Sequence, residues 1–159
     1  MKKSFLNIPA IVMLVLGSVS AKAADLEEYS PEEIEKRHHV EVFLGNTHTE
    51  EGNDAFSFGA QYEYRLSSLI GIGILGEYAF ENIDAWVVGA PLTIHPGAGW
   101  QLVAMPGVEI EDSETKFLFR AGVGYEFELE QFSIKPEVNA DFVGGDVNLV
   151  FGVSLGFGF

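Results

Sequence analysis

Apolar and polar residues alternate with a period of two along most of this 159-residue sequence. In residues 55–66 the apolar side chains occupy every second position from Phe56 to Leu66, and residues 147–159 repeat the pattern from Val147 to Phe159. Successive side chains of a β-strand point to opposite faces, whereas a helical pattern repeats every 3.6 residues. The alternation therefore predicts long strands with one apolar face and argues against a helical fold.

Eight such runs can be drawn, separated by turn-rich pieces. They cover residues 39–47, 55–66, 69–80, 84–95, 99–110, 116–127, 131–143 and 146–159. The runs are longer than the usual strand of about 5–6 residues, and they match the roughly 9–11 tilted residues that cross a bilayer. An even number of strands brings both termini to the same end of a closed sheet. The sequence thus predicts an all-β chain folded as an eight-stranded antiparallel up-and-down transmembrane β-barrel.

The size of an eight-stranded barrel decides which face points outward, because its interior is just wide enough for side chains to fill. One face of the predicted strands carries most of the Phe, Tyr and Trp residues, and the other carries glycines among charged residues. The narrow interior accommodates the small and polar face, so the aromatic face is expected to contact lipid. Trp100 then lies near one end and Trp86 near the other, in two aromatic girdles. A soluble β-sandwich, the alternative fold, does not predict such girdles.

The N-terminus has the three parts of an export signal. Lys2 and Lys3 precede an apolar stretch over residues 5–16, and an Ala-Lys-Ala cleavage site follows at residues 21–23. We therefore expect residues 1–23 to be removed as a signal peptide. A membrane-anchoring helix is disfavoured, because the apolar stretch is shorter than the roughly 20 residues that a spanning helix needs.

Two further segments follow the signal. Residues 24–37 are acidic, and Ser30 before Pro31 indicates a short helix start in a periplasmic lead-in; residues 38–159 form the predicted barrel. The whole chain has 24 acidic residues, nine basic residues and no Cys. This balance argues against nucleic acid as a partner, since phosphates require Lys and Arg. The lack of Cys excludes a disulfide framework.

The last predicted strand ends on alternating apolar residues, Leu155, Phe157 and Phe159. This ending resembles the C-terminal signal by which outer-membrane barrels are recognised for assembly. The pattern over residues 40–159 resembles the small eight-stranded family that includes the opacity, attachment-invasion and OmpA-type barrels. The resemblance implies a monomer in a bacterial outer membrane, with its N-terminus in the periplasm. The expected partners are the barrel-assembly machinery, periplasmic chaperones, outer-membrane lipid and lipopolysaccharide.

One feature departs from that family, whose adhesion and immune contacts are carried by long surface loops. The four outer connections here are short, and they lie near residues 47–54, 81–84, 111–115 and 144–145. They are also acidic, which fits either a solvated rim or divalent cations shared with lipopolysaccharide phosphates. The short loops argue against an adhesin.

The inward face carries charges, and a buried charge needs a partner or water. If the turn at residues 128–131 sets the register, Arg120 lies opposite Asn139, with Glu137 and Asp141 diagonal to it. Lys135 then has Glu126 diagonal to it. We therefore predict an interior ion-pair network centred on Arg120 and Lys135. Its members are Glu41, Glu63, Arg65, Glu77, Arg120, Glu126, Lys135, Glu137 and Asp141, with Glu109 on the same face. A structural network and a narrow cation-preferring path both fit this set, since acids outnumber bases.

The histidines provide no catalytic constellation. A hydrolase needs a nucleophile, a base and an orienting group within reach, and no His-x-Ser motif of the lipid A deacylase type occurs. His38 and His39 are neighbours on a strand and face opposite ways, which is unfavourable for a shared metal. We expect no catalytic residue, no metal and no cofactor.

Three functions remain open at this point. The favoured one is a non-enzymatic barrel that contributes to envelope integrity or surface interaction. The first alternative is a small, porin-like channel that prefers cations. A lipid A-modifying enzyme is the least favoured.

Overall fold

The computed structural model describes residues 36–81, 83–112 and 114–159. The predicted signal peptide and most of the acidic lead-in lie outside these residues. The described residues form one antiparallel sheet of ten segments. They are β1 (His38–His48), β2 (Asp54–Arg65), β3 (Ile70–Ala79), β4 (Ala85–Gly89), β5 (Leu92–Gly97), β6 (Trp100–Glu111), β7 (Glu114–Tyr125), β8 (Phe127–Glu128), β9 (Ser133–Val143) and β10 (Asp146–Gly158). None of the described residues belongs to a helix long and apolar enough to cross a membrane.

The sheet closes on itself, because β10 pairs with β1 as well as with β9. Two of the barrel strands are interrupted. β4 and β5 both pair with β3 and β6 and are separated at Pro91, which has no N–H to donate to the ladder. β7 and β8 both pair with β9. The ten segments therefore make eight barrel strands, and the predicted antiparallel eight-stranded barrel is confirmed.

We call the end that holds His38 and Phe159 the termini end, and the opposite end the far end. The far-end connections are short, as expected. The β9–β10 connection consists only of Gly144 and Gly145, with φ angles of 63° and 103°. Positive φ at both central residues is the mark of a type I′ hairpin, which Gly adopts without steric cost.

The two faces of the wall differ as the alternation predicts. Aromatic side chains of the outward face are exposed at both ends, including Trp86 (53%) at the far end and Trp100 (50%) at the termini end. Between them, Ala104, Ala121 and Ala140 are paired across three adjacent strands. An exposed apolar belt of this extent is tolerated in lipid, whereas a water-soluble protein would bury it.

The interior combines charged groups with a small apolar cluster. The cluster consists of Val87, Met105, Leu118 and Val143. Inward glycines make room for long side chains of the neighbouring strand. At Gly124, a Cβ atom would lie 3.0 Å from Cγ and Cδ of Lys135, so the lysine stem occupies the space that a larger residue would take.

Candidate functional site: the charged interior

Arg120 lies at the centre of the first interior cluster and is 2% exposed. It donates from Nε to Asp141 Oδ1 at 2.6 Å and from Nη2 to Asp141 Oδ2 at 2.8 Å. Its Nη1 donates to Glu77 Oε2 at 2.7 Å. Asp141 is on the adjacent strand β9, but Glu77 is on β3, beyond β6 and β4. Arg120 therefore links two walls of the barrel through charge-assisted hydrogen bonds.

The register that places Asp141 beside Arg120 differs from the predicted one. We expected Asn139 opposite Arg120, whereas Arg120 pairs with Asp141, and Gly122 pairs with Asn139. The turn is closed by a hydrogen bond from Leu129 N to Phe132 O at 2.8 Å. Its tip thus lies one residue later than predicted, and this moves each partner by two positions. A shift of two keeps every side chain on its face, which is why the inward set is unchanged.

Lys135 lies in a second cluster, also 2% exposed. Its Nζ is 2.5 Å from Glu41 Oε2 and 3.3 Å from Glu137 Oε2. The predicted diagonal partner Glu126 is instead reached through Gln101. The Gln101 side chain accepts from Lys135 Nζ at 3.2 Å and donates from Nε2 to Glu126 Oε2 at 2.7 Å.

The second cluster extends to the β2 wall through Arg65. Arg65 Nη2 lies 3.5 Å from Glu126 Oε2, and Arg65 Nε lies 3.4 Å from Glu63 Oε1. His95 Nε2 is 3.0 Å from the same Glu63 oxygen. Arg65 is the last residue of β2, and Glu126 directly follows β7. Because β3, β5 and β6 separate β2 from β7, the contact between Arg65 and Glu126 is a second link across the interior.

All nine residues of the predicted network face the interior, but the hydrogen bonds and ion pairs divide them into two clusters. Arg120, Glu77 and Asp141 form one; Lys135 and the remaining residues form the other. Within the described ranges no hydrogen bond joins the two. Glu109 is inward and lies opposite Lys116. The sequence reasoning missed Gln101 and Ser154, which donates to Glu137 at 3.0 Å. Both side chains are neutral. Only their positions in the alternation, which place them on the inward face, could have indicated them.

In the predicted assembly signal, Leu155 and Phe157 lie on the outward face of β10, and Phe159 directly follows the strand. All three side chains are about half exposed. The ring of His38 stacks on that of Phe159, with centroids 5.5 Å apart and planes 14° apart. Their backbones exchange hydrogen bonds of 3.0 and 2.8 Å. The last residue is thus held by the first strand.

The histidines do not assemble a reactive site with each other. His48 pairs with Asp54 at 2.9 Å on the outward face of the far end, whereas His95 is inside near the termini end. His38 contacts Tyr62, and His39 bonds the backbone oxygen of Lys36, on opposite sides of β1. In the described part of the chain no group of three or more His, Asp and Glu residues has a metal-binding arrangement.

A closed eight-stranded antiparallel barrel with an aromatic outer face and a filled, charged interior is the fold of the small transmembrane β-barrels. Comparison with known proteins supports this class at the level of structure. No protein-family model matches the chain, and no curated protein matches its sequence.

Several solved structures share the fold. Ail, the attachment invasion locus protein of Yersinia pestis, solved with the heparin analogue sucrose octasulfate, is 16% identical, with a TM-score of 0.55 over 79% of this chain and 99% of that one. The N-terminal barrel of Pseudomonas aeruginosa OprF is 17% identical, with a TM-score of 0.52 over 76% and 97%. A de novo designed transmembrane barrel is 11% identical, with a TM-score of 0.53 over 76% and 95%. Because a designed protein matches as well as natural ones do, the likeness concerns the fold alone.

Proposed function

We propose that this chain is a non-enzymatic outer-membrane protein whose barrel is sealed and contributes to the integrity of the envelope. The observation that carries the proposal is the contact of Arg120 with Glu77 and Asp141, which spans the interior with all three side chains 3–4% exposed. The link between Arg65 and Glu126 spans it a second time. An interior crossed by paired charges is a packed core, not a pore.

The proposed orientation has the termini end in the periplasm and the far end outside the cell. It rests on the export signal predicted for residues 1–23 and on both ends of the barrel domain lying at the termini end. We propose a monomer whose apolar belt contacts outer-membrane lipid. Its acidic far rim would face the phosphates of lipopolysaccharide with divalent cations between them. The outward apolar residues of β10 are the segment that the barrel-assembly machinery would recognise after chaperones deliver the chain.

Envelope integrity is favoured over surface adhesion by the chemistry of the far rim. Eight exposed acidic residues line it, and Glu111 is half-buried beside them; the eight are Glu50, Glu51, Asp54, Glu81, Asp84, Asp112, Glu114 and Asp146. The basic side chain Lys116 is held by Glu111 at 3.0 Å. A polyanion such as the heparin analogue bound to Ail would be repelled by this rim.

The experiment that tests the sealed barrel is conductance of the refolded protein in a planar bilayer. A sealed barrel should give no current steps. The second candidate, a cation-preferring channel, is favoured by the excess of inward acids over Arg65, Arg120 and Lys135. It would give steps that become smaller when Glu137 is neutralised in Glu137→Gln. Mass spectrometry of lipid A tests for enzymatic activity. A non-enzymatic barrel should leave the mass of lipid A unchanged.

A further inference from the structure

Two prolines interrupt neighbouring hydrogen-bond ladders in the middle of the barrel wall. Pro91 joins β4 to β5, and Pro106 lies at the centre of β6. A proline has no N–H to donate, so in sheets it is confined to edge strands, strand starts and bulges. A closed barrel has no edge strand, and the register of β4 and β5 with β3 continues unchanged across Pro91, which excludes a bulge there. Each proline therefore costs the wall a hydrogen bond.

The remaining hydrogen bond of each residue pair identifies the carbonyl that lacks a donor. Gly73 N donates to Pro91 O at 2.9 Å. Ala90 N donates to Pro106 O at 3.0 Å. Such a pair in an antiparallel ladder normally exchanges two hydrogen bonds. Because Pro91 cannot return the bond, Gly73 O has no ladder donor. Ala90 O has none for the same reason, since its partner is Pro106.

The two missing hydrogen bonds are in adjacent ladders, because β4 and β5 pair with β3 on one side and with β6 on the other. They lie near mid-height of the wall, where lipid offers no hydrogen bond and an unpaired carbonyl is costly. The inward positions beside them are Gly73, Gly89 and Gly107, which have no side chain to pack. We call the wall from β3 to β6 the weak sector.

The ion pair of Arg120 with Glu77 spans the weak sector from inside the lumen. Arg120 is on β7 and Glu77 is on β3, and two of the three ladders between these strands contain a proline gap. Both side chains are 3% exposed, so water screens their attraction little. The contact of Arg65 with Glu126 crosses the same two ladders nearer the termini end. Both links across the interior therefore join strands that flank the gaps.

We propose that the weak sector is a lateral opening of the wall, which the Arg120–Glu77 pair holds shut as a strap. Elsewhere in the wall, ladder hydrogen bonds hold neighbouring strands together directly. Across the weak sector two of these bonds are missing, and the strap supplies attraction from the far side of the lumen. Release of the strap would let β4 and β5 separate locally from a neighbouring strand and open the lumen to lipid. The inference concerns the wall alone, so it holds in either orientation of the barrel.

The test is amide hydrogen exchange, followed by NMR, on the refolded full-length mature protein in lipid nanodiscs. The amides of Gly73 and Ala90 report on the weak sector. The amides of Val42 and Leu155 are opposite each other in the β1–β10 seam and provide the reference. In the wild-type protein the weak-sector amides should exchange at least about tenfold faster than the seam amides, the factor of about one lost hydrogen bond.

Glu77→Met tests the strap. It keeps the length of the side chain, removes both acceptor oxygens and leaves Arg120 its partner Asp141. It should raise the ratio of weak-sector to seam exchange at least a further tenfold, because a buried charge pair across the sector is lost. Asp141→Leu is the matched control, since it also removes a carboxylate from Arg120 but lies on β9, outside the weak sector. It should leave the ratio at its wild-type value.

Pro106→Val tests the gap. Pro106 is outward and exposed, so valine is accommodated there and restores the N–H that Ala90 O lacks. Exchange at Ala90 should slow about three- to tenfold, the factor of one net hydrogen bond. Ala104→Val is the control, because it adds the same branched side chain to the outward face of β6 without adding a donor. It should leave exchange at Ala90 unchanged.

Three results would overturn the proposal. They are equal exchange of weak-sector and seam amides in the wild-type protein, the same ratio in Glu77→Met and Asp141→Leu, or undiminished exchange at Ala90 in Pro106→Val. The wild-type comparison stands even if a variant fails to fold. Conductance of the wild-type barrel would refute the sealed lumen without changing the exchange pattern, so the two proposals fail separately.

Discussion

Arg120 on β7 and Glu77 on β3 meet across the barrel interior, with Nη1 of the arginine 2.7 Å from Oε2 of the glutamate. Neither residue is near the other in sequence, and two strands separate β7 from β3 on the wall. Both side chains are 3% exposed. The pair therefore forms only when the barrel is closed, and removing it should lower the stability of the whole fold.

Replacing Arg120 by Ala should strongly destabilise the refolded barrel. The change leaves Glu77 and Asp141 as buried carboxylates without their counter-ion, and breaking such a pair costs about 3–5 kcal/mol. The measurement is thermal or urea unfolding in a fixed detergent or lipid. Lys116→Ala is the matched control, because the pair of Lys116 with Glu111 is about 40% exposed and should contribute at most about 1 kcal/mol. Equal stability of Arg120→Ala and the wild-type protein would contradict a structural role.

Gln101→Met should destabilise the barrel by about 1–3 kcal/mol, because Lys135 and Glu126 each lose a buried hydrogen bond. The side-chain size is nearly kept, so packing changes little. Gln61→Met provides the comparison, since Gln61 also faces the interior but makes no side-chain hydrogen bond within the described residues. If urea unfolding showed the same loss of unfolding free energy for the two variants, the hydrogen bonds of Gln101 to Lys135 and Glu126 would not stabilise the barrel.

Gly107→Ala should destabilise the wall by about 1–3 kcal/mol through overpacking. A Cβ atom at Gly107 would lie 2.6 Å from the backbone oxygen of Val88 and 3.1 Å from the Cα atom of Gly89, and backbone atoms cannot move aside cheaply. Gly76→Ala is the control, because a Cβ atom there would meet nothing within 4 Å. The unfolding curves of the two variants should therefore differ clearly. If the curves coincided, the backbone of β4 would have moved to accommodate the added methyl group, and the predicted overpacking would be wrong.

Phe159→Ala should lower the amount of barrel assembled in the outer membrane of expressing cells. The change removes the terminal aromatic of the predicted assembly signal together with its stacking on His38. Phe117→Ala, which truncates an outward ring that is 69% exposed at the far end, is the control and should assemble normally. Spontaneous refolding of purified Phe159→Ala into detergent separates assembly from stability. If the variant is defective only in assembly, it should still refold into detergent normally. Normal membrane levels of Phe159→Ala would refute the signal.

The fold and the inward or outward direction of each strand side chain could be predicted from the sequence. In a strand, successive side chains point to opposite faces, so odd and even positions separate the two faces. The positions of Glu77, Arg120 and Asp141 on one face follow from period-two alternation, without knowledge of any partner. The same parity assigned the aromatic residues to the outside, and the narrow interior of eight strands excluded the reverse. The short far-end connections were also readable, since turn residues such as Gly144 and Gly145 mark them directly.

The partners within the interior were decided only by the tertiary structure. The turn tip between Leu129 and Phe132 set the register that moves Asp141 from its predicted diagonal position to directly opposite Arg120, in place of Asn139. A shift of two residues leaves each side chain on the same face of the sheet. Closure of the barrel brought Glu77 to Arg120. Alternation specifies which face a side chain is on, whereas contact across a lumen also depends on register and curvature, which no local pattern records.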